Sequence, residues 1–531
     1  MIEFDPVLVQ EWLRRSARKT PEKEAIVCGG ERWSYGKVDA CSDRLAEALI
    51  DLGVRRQDRV VILTGNCMET VVSLYGTLKA GGVFIVLEGN TKARRLSYVI
   101  QNSAARVLVA WIDQAAVVQE ARAGLETDLR IVWVGASARP PECPIAPSIT
   151  WDSVFSSLSG GEGGTHPAAA DRLPRCLDID LACLIYTSGT TGNPKGVMCS
   201  HRDVISAAKS IVQYLGNRQD DVILNALPLS FGYGLYQILM SVMFGGTVVL
   251  ESSFLYPHLL LKKVAQEKVT GLPLVPSMAA MMLRMDNIAA YDFSTLRYMT
   301  SASAALPVPH LMSLRRLIPQ AKLYNMYGLT ECVRVCYLAG EELDRRPASV
   351  GRPMPNCEAL VVDEDGNEVK PGDVGELIIR GSNVMQGYWN DPDMTAGVYR
   401  PGPYPAWRWL HSGDYFRRDE EGFLHFVGRK DDMIKTRGER VSPKEVEDTI
   451  CELEGVAEAA VIGVPDDVLG QAIKVFIVAR AGELDEKVAL RYCANKLSPF
   501  MVPKYVEFVA ALPKTAHGKV NKRALLTVEG K

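Results

Sequence analysis

Short apolar runs rich in Val, Ile and Leu punctuate the first half of the chain, at Arg59-Val-Val-Ile-Leu63, Gly82-Val-Phe-Ile-Val-Leu87 and Ala105-Arg-Val-Leu-Val-Ala110. Between them lie longer stretches with helical spacing of apolar positions, Tyr35 to Leu52 and Thr91 to Asn102. Alternation of this kind predicts parallel sheets covered by helices on both faces. Leu181-Ala-Cys-Leu-Ile-Tyr186 reads as a further buried strand, and the Gly-, Pro- and Ser-rich stretches Pro140 to Pro147 and Ser156 to Pro174 read as loops before it. The pattern changes near Val350, where Ala359-Leu-Val-Val-Asp363, Asp365-Gly366 and Gly375-Glu-Leu-Ile-Ile-Arg380 predict hairpins of a small β-subdomain over about 350–428. The last unit is predicted as helix Pro443 to Leu453, strands Val456 to Gly463 and Ile473 to Ala479, and helix Asp485 to Leu497. Its entrance, Gly428-Arg-Lys-Asp-Asp432, is a short polar joint about which a small domain can rotate as a rigid body. The predicted class is α/β, with a large N-terminal domain, residues 1–430, and a mobile α+β C-terminal domain, residues 431–531.

Length and charge narrow the picture. A chain of 531 residues exceeds one ordinary core, and 47% apolar with 23% charged residues is the balance of a globular protein. A net charge of -3 gives no overall nucleic-acid-binding character, so affinity for phosphate has to come from a local site. The start, Met1-Ile-Glu-Phe-Asp-Pro6, lacks the basic and apolar regions of a signal peptide, and a cytoplasmic protein is expected. None of the twelve cysteines forms a Cys-x-x-Cys pair and none of the seven histidines a His-Glu-x-x-His helix, so reduced, mostly buried thiols and no zinc are expected. Asn225 to Leu250 carries no formal charge and is long enough to span a bilayer. Its Pro228, its four glycines and the polar Ser230, Gln237 and Ser241 break it into a loop, a short helix and the strand Thr247-Val-Val-Leu250, so no transmembrane segment is expected.

The segment that carries most chemistry is Tyr186-Thr-Ser-Gly-Thr-Thr-Gly-Asn-Pro-Lys-Gly196, which packs four Ser/Thr hydroxyls, three glycines and a lysine into eleven residues directly after an apolar run. Gly189, Gly192 and Gly196 let backbone N–H groups approach anionic oxygens, Thr187, Ser188, Thr190 and Thr191 add donors, and Lys195 adds a mobile charge. The spacing is neither that of a Walker A loop nor that of a dinucleotide-binding turn. Five more segments follow in order. Pro228-Leu-Ser-Phe-Gly-Tyr-Gly234 reads as a tight turn with two aromatics, and Tyr324-Asn-Met-Tyr-Gly-Leu-Thr-Glu331 gathers an amide, an aromatic, a hydroxyl and a carboxylate. His411-Ser-Gly-Asp414, the joint and basic loop from Gly428 to Glu447, and Pro513-Lys-Thr-Ala-His-Gly-Lys519 complete the set.

With these motifs in this order over essentially its whole length, the chain resembles the adenylate-forming superfamily of acyl-CoA synthetases, nonribosomal peptide adenylation domains and firefly luciferase. Around Met326 to Tyr337 and Gly428 to Glu447 it is most similar to acyl-CoA ligase-like proteins found beside bacterial exopolysaccharide and natural-product genes. The resemblance implies an N-terminal domain of two αβ subdomains plus the β-subdomain, ATP and Mg²⁺ as cofactors, and coenzyme A or a carrier-protein phosphopantetheine as thiol acceptor. It implies that Thr187, Ser188, Gly189, Thr190, Thr191, Gly192 and Lys195 grip the ATP phosphates, with Ala302, Ser303, Ala304 and Gly328 also at the nucleotide. By the same resemblance Tyr327 stacks on adenine, Asn325 meets its amino edge, Thr330 contacts the α-phosphate and Glu331 holds Mg²⁺. Asp414 and Arg429 bind the ribose, and Lys519 bridges the attacking carboxylate and the phosphoryl oxygens. Asp431 is the implied hinge, and the loop around Gly438 and Arg440 replaces Lys519 for the thiol step. The implied function is activation of a carboxylic acid as its adenylate, then thioester formation. A stand-alone amino-acid or aryl-acid adenylation enzyme, a luciferase-like oxidation and a non-catalytic nucleotide-binding protein remain as alternatives. A small-molecule acid and a carrier protein are the implied partners, with no nucleic acid, in a monomer or homodimer.

The acid pocket implied by the resemblance is lined by Phe231, Gly232, Tyr233, Tyr236, Met299, Ser301, Ala302 and Met326. Glycine at position 232 replaces the aspartate that holds the ammonium in amino-acid-activating relatives, which points to an acyl or aryl acid. Arg334 lies where pocket residues stand in those relatives. It either selects a second carboxylate or other acceptor, or pairs with Glu341 or Glu342; since buried charges are normally paired, the pairing is expected.

Overall fold

The computed structural model describes residues 5–125, 128–135, 148–156, 173–187, 193–404, 407–436, 439–466, 468–480, 484–515 and 519–527. Two large sheets, both mainly parallel, form its body. One has seven strands in the order Ser148–Thr150, Arg130–Val134, Val107–Trp111, Arg59–Leu63, Val83–Val86, Leu181–Thr187 and Lys195–Ser200, with only the last antiparallel. The other has nine, and its parallel centre runs Lys322–Tyr327, Tyr298–Ser301, Gly271–Leu274, Val222–Asn225, Thr247–Leu250 and Glu24–Cys28. These strands are short apolar runs because helices bury them on both faces, which leaves no polar side to alternate with.

A five-stranded antiparallel sheet follows, built from Cys357–Val362, Val374–Gly381, Tyr399–Pro401, Arg408–Arg418 and Leu424–Arg429. The main hydrophobic core runs on beneath all three sheets, joining Leu45, Leu239 and Phe416 into one cluster. The fourth sheet contains Ile434–Thr436, Glu439–Val441, Val456–Asp466, Gly470–Ala479 and Tyr505–Phe508. It has separate cores, one around Val461 and Ile477 with helices Pro443–Cys451 and Glu486–Lys496, the other around Phe476 and Leu512. A unit with its own cores can change orientation without opening the main one.

One expectation needs correction. The stretch from Pro228 to Gly234 is a turn only as far as Phe231, because helix Gly232–Phe244 starts inside it and runs for 13 residues. Gly234 permits this: a Cβ there would lie 2.3 Å from Pro228 O and 2.7 Å from Leu227 O, so any side chain would push the helix off the incoming chain. Among the described residues no helix is long and apolar enough to cross a membrane. Most of the loops expected before Leu181 lie outside the described residues, and the described cysteines are all free thiols.

Candidate active site

The parallel strands of the nine-stranded sheet end together, and the loops beyond Ser301 and Tyr327 wall a cavity of 550 Å³. In open α/β sheets this end of the strands is where ligands bind. Ser303, Ala304, Asn325, Tyr327, Gly328, Asp414, Arg429 and Lys519 all line it, drawn from both the body and the last unit. Ala302 is buried just below, its N–H given to Leu274 O at 3.4 Å. Ser303 holds a left-handed backbone with φ of 78°, which turns the chain sharply at the cavity wall.

Pairing of strands Arg408–Arg418 and Leu424–Arg429 sets Asp414 directly opposite Arg429. The Asp414 carboxylate accepts from Tyr327 Oη at 2.6 Å and from Arg429 Nε at 3.1 Å. Burial raises its pKa, opposed by the charge of Arg429, the Tyr327 hydrogen bond and the charge of Lys519. Burial disfavours the Arg429 charge too, but the pull of Asp414 and Asp432 raises its pKa overall. Tyr327 leans edge-on against Phe416, with ring centroids 4.8 Å apart, and this fixes its plane beside the cavity. Asn325 donates its amide N–H to Ser349 O at 2.8 Å, which leaves the side-chain carbonyl as an acceptor.

Lys519 is exposed to this cavity. Its backbone closes a turn with Thr515, whose N–H donates to Lys519 O at 2.7 Å, while Lys514 and Val520 bridge across it. The protein packed around the Lys519 side chain lowers its ammonium pKa, as does the Arg429 charge; Asp414 and Glu331 pull the other way. One charge from the last unit thus sits among two carboxylates and an arginine of the body.

The antiparallel strands Leu181–Thr187 and Lys195–Ser200 place Thr187 opposite Lys195 at the mouth of their hairpin. Ser188, Gly189, Thr190, Thr191 and Gly192 lie outside the described residues. The Lys195 ammonium stands 5.7 Å from the centroid of the Tyr388 ring, and Tyr388 Oη donates to Glu331 Oε1 at 2.6 Å. Tyr388 is held there because its segment runs along strand Lys195–Ser200: Met198 N–H donates to Gly387 O at 2.9 Å and Trp389 N–H to Gly196 O at 2.7 Å. Thr330, half-buried, precedes Glu331 on the loop after strand Lys322–Tyr327. Among the described residues no three His, Cys, Asp or Glu side chains cluster as metal ligands, so a hard cation would rest on Glu331 with oxygens of its partner ligand and water. With one carboxylate oxygen taken by Tyr388, the other fits that use.

The implied acid pocket divides across the sheet. Side chains alternate along a strand. Tyr233 Oη meets Thr300 Oγ1 at 2.6 Å and Tyr214 Oη meets Met326 Sδ at 3.0 Å, so Thr300 and Met326 face the helices. Met299 and Ser301 face the opposite side, Ser301 in register with Asn325. Met299 and Ser301 therefore do not share one lining with Tyr233 and Met326. Gly232 leaves open space, since a Cβ would find only Ile185 Cδ1, at 4.0 Å, and half-buried Phe231 precedes it. Tyr236 is fully buried, and its hydroxyl has no partner among the described residues.

The expected pairing of Arg334 fails. Glu341 is taken by Lys322 at 2.6 Å and Glu342 by Arg346, while Arg334 is 4% exposed and has no carboxylate partner among the described residues. Asp431 sits exposed in the single 3-10 turn Lys430–Asp432 between the third and fourth sheets. Gly438 and the Arg440 side chain lie outside the described residues. Sequence reading missed Tyr388, Ser349 and Phe416, none of which belongs to a recognisable motif; their only signal is spatial.

A model of the AMP-binding enzyme family matches residues 13–389, and one of the AMP-binding enzyme C-terminal domain matches residues 445–519. A long-chain-fatty-acid–CoA ligase of Bacillus subtilis is 30% identical over 98% of this chain and 94% of its own. Among solved structures, the anthranilate CoA ligase AuaEII in complex with anthranoyl-AMP has a TM-score of 0.88 at 25% identity, covering 99% of this chain and 98% of that one. ATP-bound MatB from Rhodopseudomonas palustris has a TM-score of 0.84 at 28% identity, covering 98% of each chain. With its body and its last unit both matched, this chain belongs to the AMP-binding enzyme family, the adenylate-forming acid–thiol ligases.

Proposed function

We propose that the 550 Å³ cavity is where this ligase joins a carboxylic acid to the α-phosphorus of ATP, and that Lys519 is the residue that makes the step possible. The observation that carries the reading is the position of Lys519, from the last unit, in a cavity walled by both units and among Arg429, Asp414 and Glu331 of the body. Attack of a carboxylate on phosphorus brings two anions together. A cation touching both lowers the barrier, because positioning and electrostatic stabilisation do most of the work in phosphoryl transfer.

Tyr327 and Asn325 would hold adenine, and Asp414, which has acceptor sites left beyond Tyr327 and Arg429, would accept from the ribose hydroxyls. Lys195 and Thr187 stand at the hairpin mouth for the outer phosphates, and Thr330 for the α-phosphate. Glu331, oriented by Tyr388, is the residue suited to Mg²⁺, which would neutralise charge on the phosphates. The new bond joins the carboxylate oxygen to phosphorus, the bond to the β-phosphate oxygen breaks, and pyrophosphate leaves. A thiol then attacks the acyl carbon, loses its proton and expels AMP. Relatives named as CoA ligases favour coenzyme A over a carrier protein as that thiol. Rotation about Lys430–Asp432 would withdraw Lys519 and admit the thiol.

Acid-dependent exchange of labelled pyrophosphate into ATP, run across a panel of acids, tests the reading. Exchange is expected with at least one class of acid. Its absence with every acid, under conditions where ATP binds, would contradict the proposal.

A further inference from the structure

Among the described residues Arg334 is a buried charge without a counter-ion. Its guanidinium is buried, its Nε is sealed from solvent, and neither an acceptor for Nε nor a carboxylate is found for it among those residues. Its Cζ lies 5.2 Å from the centroid of the Tyr233 ring, and its charge acts on the Tyr214 hydroxyl and the thiols of Cys332 and Cys336. Those groups cushion a cation without neutralising it.

The chain is built to hold it there. Gly328 touches the far end of the loop so closely that a Cβ would lie 2.3 Å from Val333 O. Val333, a β-branched residue, is forced to a φ of 61°, and Asn383, fully buried, donates to Cys332 O at 3.0 Å and Arg334 O at 2.9 Å. Left-handed backbone at a β-branched residue persists only where surrounding contacts over-determine it. The strained loop thus turns Arg334 inward, toward the helix face that also holds Tyr233 and Met326.

We propose that Arg334 is the specificity-determining residue of the acid site, and that the substrate is a carboxylic acid carrying a second anionic group, a second carboxylate above all. The inference rests on the ligase reading given above. The reacting carboxylate has to reach Lys519, whose charged neighbours are Arg429, Asp414 and Glu331. Arg334 lines no part of that cavity, and a guanidinium set apart from Lys519 can serve only the end of the acid away from the reacting carboxylate. An anion there completes the missing pair, whereas an acid ending in a methyl group leaves the buried guanidinium unpaired. Sites with buried polar groups reject such analogues strongly.

The test measures acid-dependent pyrophosphate release for α,ω-dicarboxylic acids beside monocarboxylic acids of equal length, and for carboxylate-bearing beside unsubstituted benzoates. In the wild type at least one dicarboxylic acid is expected to exceed its monocarboxylic match by at least about a hundredfold in kcat/KM. Arg334→Met, which keeps bulk and removes charge, should abolish that preference, chiefly through a higher KM for the dicarboxylic acid. Arg334→Lys should retain part of it. Equal or better use of monocarboxylic acids by the wild type overturns the proposal and leaves the ligase reading intact; this comparison decides even if the variants fail to fold. Failure of every acid, with ATP bound, overturns both.

Discussion

Tyr388 Oη donates to Glu331 Oε1 at 2.6 Å, which links the segment running beside the phosphate hairpin to the carboxylate proposed for the metal. Burial and the adjacent Glu331 charge both raise the Tyr388 pKa, so the phenol stays protonated and the hydrogen bond is kept across the physiological range. Since one oxygen of Glu331 is fixed in this way, its other oxygen has a fixed direction.

Tyr388→Phe should therefore lower the rate of adenylate formation about tenfold, the loss expected from roughly 1.5 kcal/mol for a hydrogen bond to a charged group. Titrating Mg²⁺ in pyrophosphate-exchange assays checks it: the variant should need more Mg²⁺ for half-maximal rate. An unchanged Mg²⁺ requirement would separate Tyr388 from the metal site.

Asp414 combines function with a stability cost. Its folded-state pKa is raised by burial, so its contribution to stability is present below the unfolded value and is lost as pH rises through the folded value. At neutral pH the ionised carboxylate is thus a burden on the fold. Asp414→Asn should keep or raise Tm at pH 7, with the advantage shrinking in acid, and should weaken ATP binding by about tenfold or more through poorer acceptance from the ribose. Thermal melts at several pH values with ATP titrations would show both trends. A lower Tm at neutral pH would contradict the sign.

The present orientation of the last unit is supported by an ion pair across the boundary, Arg284 to Glu458 at 2.8 Å, and Glu458 is shared with Lys514 at 2.8 Å. Arg284 is half exposed, so the pair is worth little to overall stability. It biases only the orientation that presents Lys519. Arg284→Ala should slow adenylate formation by a few-fold, spare thioester formation from supplied acyl adenylate and leave Tm within a degree or two. Equal slowing of both steps would remove this role.

Short buried strands were the most legible part of the sequence: Arg59–Leu63 and Thr247–Leu250 have the bounds that their apolar runs indicate. Helix Gly232–Phe244 was harder to read, because it is apolar on every side and its opening glycines mimic a turn. The acid side shows a different limit. A residue list taken from motif positions ignores strand alternation, which sends Met299 and Ser301 to the face away from Tyr233. Arg334 was expected to pair with nearby glutamates, yet proximity along the chain is not proximity in space, and Lys322 and Arg346 reach those glutamates first. Tyr388 comes from a segment far from Glu331 in sequence, so only the fold joins them.

The charge on Lys519 gives the reaction a characteristic pH profile. The protein packed around Lys519 and the Arg429 charge lower its pKa, so adenylate formation should decline on the alkaline side at a pH below that at which a free lysine loses its proton, and Lys519→Arg should move that decline upward.

The most direct measurement compares the two half-reactions of Lys519→Ala with those of the wild type, using pyrophosphate release for the first and thioester formation from a supplied acyl adenylate and coenzyme A for the second. The account predicts that the first falls by at least about a hundredfold, as loss of a transition-state contact does, while the second is nearly unchanged. Equal loss in both, or an intact first step, would contradict it.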